Sequence, residues 1–292
     1  MKEQLKISIR FFNDREVRAV WDDEHAKWWF SVLDIVGILN EECDYPKIRN
    51  YWKYLKAKLK KENNQLVSDT NQLKLTAADG KKYLTDTLDS HGVVELAKHF
   101  PNNRAMKFLD WFLYSDTSID GQSKKKAYTL FESNLINEFE AGTTKGLQQI
   151  HAYLFGGLYD FAGQIREKSI SKDGYRFVYA QHLKSKLQEI DALPQNTLDE
   201  IILKYAEMNK AHPFMEGNGR STRIWLDMML KKHLKKCVDW SKIRKENYMN
   251  AMIISTVDSG VLKQLIEPAL TKKIKDREMF MKGIDYSYYY EE

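Results

Sequence analysis

The chain has 292 residues, 43% apolar, 30% charged and 12% aromatic, with a net charge of +5 at pH 7. Those proportions describe a soluble globular protein with material for two cores, and disorder is not the expectation for them. No window has the apolar length to span a bilayer, and the Met1 to Lys6 stretch lacks the apolar run of a secretory signal. Cys43 and Cys237 are far apart and without metal-ligand spacing, so neither a disulfide framework nor a zinc site is indicated; a reducing cytoplasm, with no membrane partner, is expected.

The first third, residues 1–115, reads as an α+β domain. Residues 5–12 and 17–21 have strand character around an Asn13-Asp14 turn, Trp28-Trp29-Phe30 suits a third strand, and Ser31 caps a helix over Val32 to Leu39. Tyr45 to Lys61 is basic throughout, with Lys47, Arg49, Lys53, Lys56, Lys58, Lys60 and Lys61 interleaved with Tyr51, Trp52, Tyr54 and Leu55, and its periodicity suits a helix with one apolar face. Asp79-Gly80 marks a hairpin, and Ser90 to Phe100 and Ala105 to Tyr114 read as helices. The polar run 116–126, with Gly121 and three consecutive lysines, reads as a linker.

From Ala127 the pattern is helical: Lys126 to Ala141, Lys145 to Tyr159, Ala180 to Ile190, Leu198 to Ala211, Asn218 to Lys236, Lys242 to Thr256, Gly260 to Leu270, and Lys275 to the end. Only Ile170 to Tyr179, centred on Asp173-Gly174, interrupts it with a hairpin signal.

Gly217-Asn218-Gly219 lies between two of these helices, at the amino terminus of the second. Unpaired backbone N–H groups converge there, and glycine admits an anion close to the backbone, so the turn suits a phosphate. Arg220 and Arg223 share one face of the first helical turn, where the positive end of the dipole disfavours cations and calls for something anionic. Glu216 places a carboxylate beside the loop, as Mg²⁺ sites with phosphate and water ligands require. His212 stands at the other end of the turn, before a helix-terminating Pro213, with the ordinary pKa of a general base. The loop matches neither the Walker A pattern nor a dinucleotide fingerprint.

His212 to Arg223 resembles the Fic motif, H-P-F-x-[DE]-G-N-G-R-x-x-R, at every position. The similarity runs over roughly residues 126–292 and includes Gly163-Gln164-Ile165-Arg166 and the hairpin from Ser171 to Phe177, which resembles the family's flap. The resemblance implies a mainly α catalytic domain over 127–292, a helical bundle of Fic fold with a β-hairpin flap. It also implies a protein adenylyltransferase that moves AMP from ATP to a Ser, Thr or Tyr hydroxyl of a target protein and releases pyrophosphate. His212 would be the base and Glu216 the Mg²⁺ ligand. Gly217, Asn218, Gly219, Arg220, Ser221 and Arg223, with Ser171, Lys172, Asp173 and Gly174 of the flap, would contact nucleotide, Arg223 taking the γ-phosphate. Transfer of another phosphate-containing group, removal of AMP, and a non-catalytic nucleotide sensor in a DNA-binding regulator stay open.

Ser287-Tyr288-Tyr289-Tyr290-Glu291-Glu292 resembles the family's inhibitory motif [ST]-x-x-x-E-[GN], with Ser287 and Glu291 matching and Glu292 departing from it. That resemblance implies a terminal helix whose Glu291 pairs with Arg223 and shuts out the γ-phosphate, a role a carboxylate on a guanidinium can fill. On its own pattern, the same segment could instead simply complete the core. Trp28 to Val36 and Asp79 to Thr85 resemble the Bro or phage-antirepressor type of amino-terminal domain, which implies DNA binding. The basic 45–61 run is equally compatible with a solvated helix face. Whether the chain forms a homo-oligomer is left open.

Overall fold

The computed structural model describes residues 6–77, 79–172 and 174–291. The chain divides into two compact units, Met1–Asp116 and Thr117–Glu292.

The first unit is built on one antiparallel sheet. Strands β1 (Ile7–Phe12) and β2 (Arg15–Asp22) meet in register, Phe12 opposite Arg15. The two residues between them, Asn13 and Asp14, both have positive φ (46° and 62°), as a tight hairpin turn demands. Strand β3 (Lys27–Ser31) leads directly into α1 (Val32–Leu39), where the Ser31 hydroxyl accepts from the Asp34 N–H at 3.3 Å. Helices α2 (Tyr45–Lys61) and α3 (Gln65–Ser68) follow, then β4 (Asn71–Thr76), β5 (Lys82–Leu88), α4 (Ser90–Ala97) and α5 (Asn103–Tyr114). The strand order is β1-β2-β3-β5-β4. Val32, Ile35, Val36, Leu59, Leu88, Val93 and Phe108 form a dry core between sheet and helices.

The second unit is helical. Helix α6 (Ile119–Glu132) and a 3₁₀ turn at Leu135–Glu138 precede α7 (Thr144–Phe155). A two-stranded hairpin, β6 (Ser171–Lys172) and β7 (Tyr175–Arg176), precedes α8 (Ala180–Ala192), α9 (Leu198–Ala211) and α10 (Asn218–Met229). Strand β8 (Cys237–Val238), α11 (Lys245–Ile254), α12 (Gly260–Ile266), β9 (Leu270–Thr271) and α13 (Arg277–Tyr289) complete it, with β8 paired to β9. Helix α10 is the axis of the unit: it packs on α7, α9 and α13, and its Ser221, Ile224, Trp225, Leu226 and Met229 are buried. Side chains that would face water on an edge helix are therefore enclosed, the two arginines included.

The 116–126 run is not a linker. Ser118 caps α6, its hydroxyl accepting from Gly121 N at 3.0 Å, and the three lysines ride a helix whose Gly121, Ser123, Ala127, Tyr128 and Leu130 are buried. This helix also ends earlier than its apolar pattern suggests, because Asn134 turns the chain with φ of 60°. The helix read to Lys236 leaves α-geometry after Met229 through a π-turn at Leu230–Leu234. Among the described residues, no helix is long and apolar enough to cross a membrane.

Candidate active site

The motif loop is suspended between two well-defined helix ends. Helix α9 begins with a capping box, Thr197 and Glu200 each accepting from the other's backbone N–H. It ends at His212, which adopts a left-handed conformation (φ 46°, ψ 66°) that turns the chain into Pro213. Gly217, with φ of 79°, then starts α10. A side chain there would carry strain and would also meet the Phe155 ring, whose Cε2 lies 2.5 Å from the position of a Cβ.

Asn218 braces the loop from within: its Oδ1 accepts from Phe214 N at 2.9 Å and its Nδ2 donates to Phe214 O at 2.8 Å. That side chain is thus committed to the protein, and only the backbone of Asn218 is left to serve an anion at the helix terminus. Ser221, expected among the nucleotide contacts, has a fully buried residue position inside the bundle. At Gly219, by contrast, a Cβ would run into the carboxylate of Glu291. An anion therefore lies against the backbone where the loop becomes helix, as the dipole and the free N–H groups favour.

Two buried side chains absent from the motif hold this loop. His151 of α7 accepts from Gly163 N at Nδ1 (2.8 Å), which leaves Nε2 protonated to donate to Glu216 O at 2.9 Å; its ring stacks on Phe214 at 3.8 Å. Burial pulls its pKa down to about 4, in keeping with that neutral form. Arg166 spends its guanidinium on main-chain carbonyls: Nε donates to His212 O (2.7 Å), Nη1 to Lys168 O (2.7 Å), and Nη2 to Val178 O (2.6 Å) and Ala211 O (3.0 Å). Its own N–H reaches Pro213 O at 2.8 Å. One residue thereby joins both feet of the hairpin to the end of α9 and to the backbone of His212.

The His212 ring stacks on Phe177 at 3.8 Å, and burial pushes its pKa down to about 4. It is a neutral imidazole at physiological pH, able to take up a proton. Its Nδ1 is buried, and a backbone hydrogen bond with Asn209 partly offsets the effect of burial. The hairpin beyond Phe177 pairs Ser171 with Arg176 and Lys172 with Tyr175, and Gly174 has φ of 80°. Ser171, Lys172 and Gly174 are exposed; Asp173 lies outside the described residues, as does Glu292.

Glu216 is exposed beside the loop, and Oε1 takes both of its hydrogen bonds, from Gly217 N and Arg220 Nη2, each at 2.9 Å. Arg220 is enclosed between the Phe155 ring (5.0 Å) and the Tyr288 ring (5.8 Å), and its other terminal nitrogen donates to Asp120. Arg223 is buried against Tyr248 and Tyr290, their rings 5.5 and 5.6 Å from its guanidinium carbon. Its Nε donates to Ser287 Oγ at 2.8 Å, and its Nη2 to Ser287 O at 2.6 Å and to a Glu291 carboxylate oxygen. Burial opposes both charges, yet each holds the other: Arg223 stays above its ordinary pKa, and Glu291 below the usual carboxylate range. Helix α13 lies along α6, with Arg277 on Glu132 at 2.8 Å, Phe280 stacked on Phe131 at 5.3 Å, and the Tyr128 hydroxyl on buried Asp285.

Residues 142–230 match the Fic/DOC family. The helical unit carries a Fic domain, and its relatives in sequence are named protein adenylyltransferases. The protein adenylyltransferase VbhT of Bartonella schoenbuchensis is 30% identical over 166 residues, 49% of this chain and 34% of that protein. The probable protein adenylyltransferase y4lH of Sinorhizobium fredii is 30% identical over 118 residues, 36% of this chain and 61% of that one. The chain thus spans less than two thirds of the length of either. Among solved structures, the Fic domain of a putative cell filamentation protein from Bartonella quintana, with bound ADP, is 19% identical at a TM-score of 0.46, covering 54% of this chain and 86% of its own. BepC from Bartonella tribocorum, with bound AMPPNP, is 21% identical at a TM-score of 0.45, covering 59% and 92%.

Proposed function

We propose that the chain is a protein adenylyltransferase held inactive by its own carboxyl-terminal helix. The observation that carries the reading is the seat of Glu291: a carboxylate on the second motif arginine, against the glycine that opens α10, in the place an anionic phosphate oxygen would take. In the active form, the nucleotide phosphates replace that carboxylate. The neutral His212 accepts the proton of a target Ser, Thr or Tyr hydroxyl, and the oxygen attacks the α-phosphate. The bond from that phosphorus to the β-bridging oxygen breaks, and pyrophosphate leaves with the electron pair. Most of the acceleration comes from alignment and charge neutralisation by the loop N–H groups, Arg220 and Arg223. Exposed Ser171 and Lys172 offer a strand edge to the target segment and place its hydroxyl above His212.

Glu216 fits a Mg²⁺ ion that draws its other ligands from phosphate and water. It is an exposed carboxylate beside the phosphate seat, and among the described residues no group of three His, Cys, Asp or Glu side chains gathers anywhere. Bound there, the ion would neutralise phosphate charge during transfer.

The test is incorporation of labelled AMP from ATP into proteins of a host lysate. Glu291→Gly is expected to raise it at least tenfold, and His212→Ala in that background to abolish it while ATP still binds. Equal labelling by wild type and Glu291→Gly would refute the inhibition, and labelling that survives His212→Ala would refute the base.

A second role for the first unit is favoured by the solvated face of α2. Lys47, Arg49, Lys53, Lys58, Lys60 and Lys61 are exposed there around Tyr54, itself 72% exposed. Such a stripe suits contact with nucleic-acid phosphates, and a salt-dependent shift of duplex DNA by the full chain would test it.

A further inference from the structure

Arg223 receives its carboxylate from the end of the chain, but Arg220 receives one too, from a different helix. Asp120 stands in the first turn of α6, where the helix dipole favours an acid, and accepts from Arg220 Nη1. The exposures of the pair are unequal: the Arg220 side chain is 4% exposed and that of Asp120 is 51%. A guanidinium shut between Phe155 and Tyr288 needs a counter-charge, whereas a half-exposed carboxylate is served by water. The pairing therefore benefits Arg220 at rest, and Asp120 gives up little by releasing it to a better anion. Glu216 takes the other end of the same guanidinium at 2.9 Å, so both terminal nitrogens of Arg220 are occupied by carboxylates.

We propose that Asp120 is a second resident anion of the phosphate cradle, occupying Arg220 where a nucleotide phosphate would sit and so lowering affinity for the polyphosphate alongside Glu291. The proposal rests on the reading of Arg220 and Arg223 as phosphate ligands. A phosphate brings more charge and more acceptor oxygens than a carboxylate and displaces Asp120 from the guanidinium fork. Once displaced, Asp120 stays near and repels the bound nucleotide, which weakens binding further. Glu291 and Asp120 hold different arginines, although the helices that carry them, α13 and α6, pack along one another.

Calorimetric titration of the full chain with Mg²⁺ and either ADP or AMPPNP tests this, using wild type, Asp120→Asn, Glu291→Gly and the double variant. Asp120→Asn is expected to tighten both nucleotides by about three- to tenfold, the worth of one partly exposed charge pair. Glu291→Gly is expected to tighten AMPPNP, which has a γ-phosphate, and to leave ADP unchanged; the double variant is expected to bind AMPPNP more tightly than either single one, with the departure from a simple product measuring the coupling between the two carboxylates. Asp120→Ser repeats the measurement without an amide, and a melting curve on each variant verifies the fold. Nucleotide binding that Asp120→Asn and Asp120→Ser leave unchanged would overturn the proposal while sparing the role of Glu291. Weaker binding would overturn it as well, by making Asp120 a residue that orients Arg220 for phosphate. No binding of either nucleotide to any of the proteins would overturn the phosphate-site reading together with this one.

Discussion

The motif loop and the hairpin beside it use the same backbone device in opposite surroundings. Gly217 and Gly174 have nearly equal left-handed φ, 79° and 80°. Around Gly217 the protein is full: a Cβ would meet Phe155, Asn218 cross-braces Phe214, and His151 and Arg166 hold the carbonyls on either side. Around Gly174 a Cβ would meet nothing within 4 Å, and strands of two residues carry the hairpin. The loop proposed to carry the chemistry is thus over-determined, while the hairpin proposed to meet a target is left adaptable. Positioned transfer needs the first, and recognition of an extended segment tolerates the second.

The largest expected effect is at Gly217. Gly217→Ala combines left-handed strain with overpacking against Phe155 and should cost about 2–4 kcal/mol in denaturant unfolding, with AMP transfer lost in the Glu291→Gly background. A cost under about 1 kcal/mol would mean that the loop is as yielding as the hairpin. Acid should act on the same enclosed region. His151 and His212 titrate near 6.5 when unfolded and about 4 when folded, so between those values the unfolded state holds the extra protons. Stability should therefore fall as pH drops from about 6.5 toward 4 and stay level above that, by roughly 1–2 kcal/mol per histidine at pH 5. Thermal unfolding across that range, with a shallower slope in His212→Ala, is the measurement. The smallest effect belongs to Gly174→Ala, which adds strain without a clash: about 1 kcal/mol or less, with nucleotide affinity unchanged in titration. A loss matching that of Gly217→Ala would erase the contrast.

The two regions also differ in how far they could be read from residues alone. The helices on either side of the motif loop were legible from apolar periodicity, while the roles given to His212, Glu216 and the two arginines come from the resemblance to the Fic motif and not from their spacing alone. Helix α6 was not, since Gly121 and Lys124 to Lys126 look like a solvated connection until the burial of Ala127, Tyr128 and Leu130 is seen. Asp120 lies 100 residues from Arg220 and carries no local signal. His151 is one histidine on an amphipathic helix, a pattern with no chemical mark. Arg166 stood within a recognisable segment, but its work is done on main-chain carbonyls, which leave no trace in side-chain spacing. For Asn218, the motif suggested an anion contact, and the structure turned its side chain inward to the loop.

Arg166 has a consequence for how such a protein could be retargeted. Because one guanidinium grips Lys168, Val178, Ala211 and His212 together, the hairpin proposed to receive a target and the imidazole proposed as the base share a common datum. The exposed residues Ser171, Lys172 and Arg176 between those two feet could be rewritten to suit a different partner, with Phe177 kept against the imidazole so that the reach to it would stay the same. Choice of client and depth of presentation are, in this architecture, separate settings.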